Sequence, residues 1–229
     1  MRLITNEPLI KRNAAIGKYA ASAGLVVLVG GLVVSFTARD NPQLQLVPFY
    51  TLIVGFILSN VGIYFANRFV REPRADKTIE AALKGLDDKY HLYNYRLPAP
   101  HVLIGPSGIF ALVPKFQAGE VIWDGKRWNH KGSNFILSLF GQESLANPNA
   151  EAAAEASRVA NALGKKIGGD IPPVQAIIVF YNPKVAIQAE NPPIPALYVK
   201  QLKDFIRKLP KGPTLSAEQI EKLDGALGL

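Results

Sequence analysis

Between Tyr19 and Ala38 the chain runs twenty residues (YAASAGLVVLVGGLVVSFTA) without a charged side chain, and between Leu46 and Ala66 it runs twenty-one more (LVPFYTLIVGFILSNVGIYFA). A helix rising roughly 1.5 Å per residue needs about 20 residues to cross a hydrocarbon layer of about 30 Å, so each run has the length of a span. Helices of soluble cores seldom run that far without a charge, and two in succession are rarer still. Pro48 falls in the first turn of the second run, where its missing N–H is harmless. The expectation is an integral membrane protein with a transmembrane hairpin, spans about 19–38 and 46–66. The first run ends Ser35-Phe36-Thr37-Ala38-Arg39 without a small-x-small cleavage signal, so it is expected to stay in the mature chain.

Cations fix the expected orientation. Arg2, Lys11, Arg12 and Lys18 precede the first run and Arg68, Arg71, Arg74 and Lys77 follow the second, while the connection holds one Arg beside one Asp. By the positive-inside rule both termini and the soluble part face the cytoplasm, at the cell membrane. Much of the net charge of +8 thus sits at membrane borders, where it also attracts anionic headgroups, and is a poor pointer to nucleic acid. Within the hairpin the small residues Gly24, Gly30, Gly31, Gly55, Ser59 and Gly62 are expected to let the helices approach, and Asn60 to bond across the hairpin, across a dimer, or to its own backbone. The lipid bilayer is the first expected partner, with self-association through these helices a second.

The chain divides on this reading into an N-terminal segment and hairpin (1–71), a polar linker (72–78), one α/β domain (79–209) and a tail (210–229). Ile79, Leu83 and Leu86 form an apolar helical stripe. Strand signals follow over His91–Leu97, then Val102–Ile104 and Ile109–Val113 around Gly105-Pro106-Ser107-Gly108, then Val121–Trp123 and Arg127-Trp128 around Asp124-Gly125. Residues 132–148 fit no element cleanly. Ala150–Leu163 reads as a long helix, Val174–Tyr181 as a strand buried on both faces, Ala196–Val199 as an edge strand, Lys200–Leu209 as a cationic helix, and Ser216 with Gln219 as the capped start of a last short one. The fold class is α/β (α+β): a central mixed sheet flanked by helices. There is no cysteine, so no thiolate site or disulfide. The glycines after Leu163 end a helix and are no phosphate loop, and His91, His101 and His130 lack the spacing of a metal triad.

His101–Lys115 (HVLIGPSGIFALVPK), with Gly119, Trp123–Trp128 and Asn147-Pro148, resembles the nuclease-related domain, NERD, of restriction-endonuclease-like fold, over roughly residues 76–209. The resemblance implies a hairpin carrying Asp before the His and Glu-x-Lys at its end, a Glu on the preceding helix, and a Gln after Asn-Pro. Carboxylates would hold a hard cation such as Mg²⁺ to activate water against a phosphodiester, with the Lys on the same face. Here Pro100 and Val113 stand where the two metal-binding carboxylates belong. What remains of the implied site is Lys115, with Glu80 at the helix position and Glu151 at the Gln position.

The leading expectation is therefore a membrane-anchored NERD-like domain without nuclease activity, a pseudo-nuclease acting as a cytoplasmic binding or scaffold module. No metal or other cofactor is expected; Mg²⁺ enters only under a second reading, a tethered nuclease whose acidic site has moved to residues such as Glu120, Asp124, Asp87 or Asp88. A third is a structural protein that mediates self-association. If nucleic acid is a partner, Lys115, Lys126, Arg127 and Lys131 are the expected phosphate contacts.

Overall fold

The computed structural model describes residues 1–37, 44–131 and 144–229. The end of the first predicted span, the connection after it, and residues 132–143 lie outside that set. The chain divides into two bodies, each taken by itself.

The first is a pair of antiparallel helices, α1 (Glu7–Thr37) and α2 (Val47–Phe69), both long and apolar enough to cross a membrane. Helix α1 starts well ahead of the Tyr19 expected for the span. Pro8 sits in its first turn beside Glu7, and no helix breaker separates that turn from the apolar run. The buried positions of α1 are Ile10, Gly17, Gly24 and Gly31, and α2 buries Gly55, Gly62 and Phe69. Each set repeats every seventh residue, the period that holds one seam between two helices. The seam is close. A Cβ on Gly24 would lie 2.6 Å from the hydroxyl of Ser59, and one on Gly62 would lie 2.5 Å from the backbone nitrogen of Ala21. Gly31 meets Thr51, Gly55 meets Leu28, and Gly17, ahead of the predicted span, meets Ala66.

One of the expected packing residues, Gly30, is corrected, and of the bonds open to Asn60 the one to its own backbone is found. A Cβ on Gly30 would meet nothing within 4 Å. It lies next to the seam position Gly31, and a helix turns about 100° between neighbours. Asn60 Nδ2 donates to the carbonyl of Phe56 at 2.9 Å, so its amide is satisfied by its own helix.

The second body is three-layered. Among the described residues a six-stranded sheet runs in the order β1 (Arg2–Thr5), β2 (His91–Asn94), β3 (His101–Gly105), β4 (Gly108–Lys115), β7 (Val174–Phe180), β9 (Ala196–Tyr198). It is mixed: β2, β3 and β4 are antiparallel neighbours, while β1, β7 and β9 add in parallel. A smaller sheet holds β5 (Gly119–Trp123) between β6 (Trp128–Lys131) and β8 (Val185–Ala189). The single sheet expected from sequence is thus two. Strand β1 belongs to this body rather than to the hairpin segment, and the expected linker is shorter, since α3 (Ala75–Leu83) already begins at Ala75.

Side chains alternate across the large sheet. On one face Leu103, Phe110, Leu112, Ile177 and Val179 pack under α3 and α5 (Leu202–Lys208) through Ile79, Leu83, Leu202 and Ile206. On the other, Val102, Ile104, Ile109 and Ala111 pack under α4 (Pro148–Ile167) and α6 (Ala217–Ala226) through Val159, Leu163, Ile167 and Leu223. Asn147 caps α4 by accepting from the Ala150 N–H, with Pro148 in the first turn and Lys165 and Lys166 in the last. The small sheet closes the end of the α4 face, where Val113, Ile178 and Phe180 meet Val121, Trp128 and Val185.

Candidate functional site

The β3–β4 hairpin sets the register of the site. His101 pairs with Leu112, so continuing the ladder by one residue sets Pro100 opposite Val113. Lys115, two residues on from Val113, shares its face. Carboxylates at positions 100 and 113 would therefore converge beside Lys115, on the face covered by α4. The residues present cannot do this. Val113 is buried among Val121, Ala152 and Phe180, and neither it nor Pro100 carries a side-chain donor.

Lys115 is itself buried, its side chain 7 % exposed, and its Nζ donates to Oε2 of Glu151 in the first turn of α4. Of the three vestigial positions read from sequence, the structure brings together Lys115 and Glu151. It places Glu80 elsewhere: α3 covers the opposite face of the sheet, and the Glu80 carboxylate pairs with Lys77 at 3.3 Å. One turn beyond Glu151 on α4, the buried Glu155 is paired with Arg158. Each carboxylate near the motif is thus matched to a cation of the protein. Mg²⁺ takes oxygen ligands in near-octahedral order, and a single carboxylate already bonded to an ammonium does not fit it. Among the described residues no group of three or more His, Cys, Asp or Glu is arranged to hold a metal.

The site is walled by residues that the sequence reading did not single out as a group. Gln117 is buried and donates to the Ser144 carbonyl at 3.4 Å, and the Trp128 indole donates to Asn149 at 3.0 Å. The Asp and Glu positions on the exposed hairpin have local partners. Arg127 N–H, Lys126 N–H and the Asn129 amide hold the Asp124 carboxyl down at about 2, and Glu120 pairs with Lys131 at 3.5 Å. Asp87 accepts from the Lys89 N–H at the end of α3. None of these acids lies on the strand positions beside Lys115.

The expected phosphate contacts are likewise compromised. Lys115 is enclosed, Arg127 pairs with Asp124 and Lys131 with Glu120, which leaves Lys126 exposed on the turn. Surface pairs of this kind are weak and yield to a stronger anion, but three exposed cations against two carboxylates make a shallow field. The histidines are dispersed: His101 Nδ1 lies 2.8 Å from the Asn94 side chain on the α3 face, and His130 Nε2 lies 2.7 Å from the Ala118 carbonyl.

No curated protein and no solved structure matches the chain. A family model does match, over residues 71–181, so that β8, β9, α5 and α6 fall beyond it and the resemblance read from sequence ran further than the match. That model is NERD, the nuclease-related domain, and residues 71–181 are similar to it.

Proposed function

We propose that this chain is a membrane-anchored NERD-domain protein that has given up phosphodiester hydrolysis and serves as a cytoplasmic binding or scaffold module. The observation that carries the reading is the occupancy of the motif: Pro100 and Val113 at the acidic positions, and Lys115 engaged by Glu151. Hydrolysis requires carboxylates to hold a cation and a lysine available to the reacting phosphate; this site supplies neither. The relocated-acid reading leans on Glu120, Asp124, Asp87 or Asp88; Glu120 and Asp124 are paired with Lys131 and Arg127, Asp88 with the N-terminal ammonium, and Asp87 accepts from the Lys89 N–H.

The test is a cleavage assay of the full-length protein in detergent, with duplex DNA, single-stranded DNA and RNA, in Mg²⁺ and in Mn²⁺. The expected rate is that of buffer, unchanged in Lys115→Ala. Turnover that disappears in Lys115→Ala would restore the nuclease reading.

The anchoring part rests on the two apolar helices, whose outward residues such as Leu25, Val26, Phe36, Phe49 and Ile57 are exposed, and on the cations that flank them. Because the chain lacks cysteine, single cysteines report topology without background. Lys126→Cys in sealed right-side-out vesicles is expected to resist a membrane-impermeant maleimide and to label once the vesicles are opened. Labelling in intact vesicles would reverse the orientation.

A further inference from the structure

Beyond the α4 face, the α/β body has two adjoining cavities that the NERD motif does not use. One, of about 800 Å³, lies between α6 and the β2 and β3–β4 edges; Leu215, Ala217 and Ile220 give it an apolar wall. The other, of about 650 Å³, opens between the end of α3 and the segment after α5, and is lined by Lys89, Arg207 and Lys211 together with Asp87. Lys89, Pro106 and Thr214 line both, so the two adjoin along a shared rim. That rim is held in place by backbone: the Gly212 N–H donates to the Pro106 carbonyl at 3.0 Å, and a Cβ on Gly212 would lie 2.6 Å from the Ser107 carbonyl oxygen.

The chemistry of the two halves differs. In the apolar half the charges are already settled. Asp224 accepts from the Tyr93 hydroxyl and from Arg2, each at 2.8 Å, and burial followed by that hydrogen bond pushes the phenol far above its ordinary range, so Tyr93 stays a donor. Burial, opposed by Asp224, lowers the His91 imidazole below its ordinary value and keeps it uncharged at neutral pH. Glu221 is the remaining acid of this wall and is exposed. In the other half, three cations face one carboxylate. Arg207 spends one N–H on the Gly85 carbonyl at 2.7 Å, and neither Lys89 nor Lys211 is in an ion pair among the described residues. Two polar atoms buried at this site, His91 Nδ1 and Thr214 Oγ1, have no hydrogen-bond partner. Buried polar atoms in native proteins are nearly always paired, and a ligand is one way to complete them.

We propose that the adjoining cavities are a binding site for a small, water-soluble anionic amphiphile, an aryl or short-alkyl phosphate or carboxylate, with its anion at Lys89, Arg207 and Lys211 and its apolar body against Leu215, Ala217 and Ile220. Charge complementarity selects the head, and the apolar wall selects the body. Each half alone, about 800 and about 650 Å³, has the size of a small-molecule pocket, which suits a small ligand laid across the shared rim. The site is independent of the hydrolytic question, because Thr214, Ala217, Arg207 and Lys211 all lie beyond the NERD match.

The probe is phenyl phosphate, titrated by calorimetry into the full-length protein in nanodiscs of zwitterionic lipid, with inorganic phosphate and phenol as the two halves. Phenyl phosphate is expected to saturate one site and to bind about ten-fold or more tighter than either half. Lys89→Ala with Lys211→Ala, both exposed positions, is expected to weaken it about ten-fold while leaving the thermal midpoint unchanged. Ala217→Trp, also exposed, fills the apolar half and is expected to abolish the advantage of phenyl phosphate over phosphate. Phenyl phosphate that binds no tighter than phosphate, or that binds the double variant as it binds the parent, overturns the proposal.

Discussion

Gly62→Leu is expected to disrupt the helical hairpin, and Gly30→Leu to leave it intact. Both replace glycine by leucine in apolar helices, so they change hydrophobicity alike. They differ in what the new side chain meets. At Gly62 the first carbon would arrive 2.5 Å from the backbone nitrogen of Ala21 and 2.7 Å from its Cα, and no rotamer choice moves a backbone. At Gly30 there is open space to 4 Å. Overpacking a closed contact costs about 1–3 kcal/mol, and more where the obstacle is main chain, which corresponds to a fall in thermal midpoint of roughly 5–10 °C for the full-length protein in detergent. Gly30→Leu is expected to melt with the parent. Equal losses in both variants would mean that the glycine seam is not what joins these helices.

Glu151→Ala is expected to destabilise the α/β body strongly. It leaves the Lys115 ammonium, with its side chain 7 % exposed, without the carboxylate it donates to. Removing one partner of a buried pair typically costs about 3–5 kcal/mol, and the low end applies because the Glu151 side chain is 43 % exposed and water can partly replace it. The companion variant Lys115→Met with Glu151→Ala removes the charge along with its partner and is expected to recover most of the loss. Chemical denaturation of the three proteins measures this. If Glu151→Ala unfolds at the parent's midpoint, Lys115 is hydrated and free to move, as a lysine that meets a phosphate must be, and the case for a silenced motif weakens.

These two predictions show where sequence was sufficient. The hairpin, β3, β4, α4 and β7 were legible because each is a long apolar or periodic stretch bounded by turn residues: Gly105-Pro106-Ser107-Gly108 between β3 and β4, Asn147-Pro148 before α4. So was the absence of acids at positions 100 and 113, where the resemblance to NERD implies them and where strand alternation sets 113 on the face of Lys115. Strands β1 and β8 were not, because Arg-Leu-Ile-Thr and Val-Ala-Ile-Gln-Ala are short, alternating and without flanking signals strong enough to outweigh their surroundings. Gly17 was hidden by Arg12 and Lys18, which set the expected span to begin after it.

The position of Glu80 illustrates a deeper limit. Periodicity identifies α3 and its apolar stripe, but a helix may cover either face of a sheet with the same stripe, and only the packing of Ile79 and Leu83 on Phe110 and Leu112 decides which. The same holds for the two cavities. Arg2, His91 and Asp224 lie far apart in the chain, and no spacing rule announces that a strand, an edge residue and a terminal helix will enclose one space.

Strand β1 and the segment from Ala75 onward are written into the chain on either side of the hairpin, yet they form one sheet. A shortened protein that begins after the hairpin would be missing a slat: the β2 ladder would lie bare along its length, and the hollow left by Ile4 would open next to Tyr93. Bare ladders recruit neighbours, so such a fragment is prone to stick to itself for reasons unrelated to any native partner. During synthesis the first four-residue strand must likewise wait, unpaired, until β2 has emerged; hairpin and α/β body are thus obliged to mature as a single piece of chain.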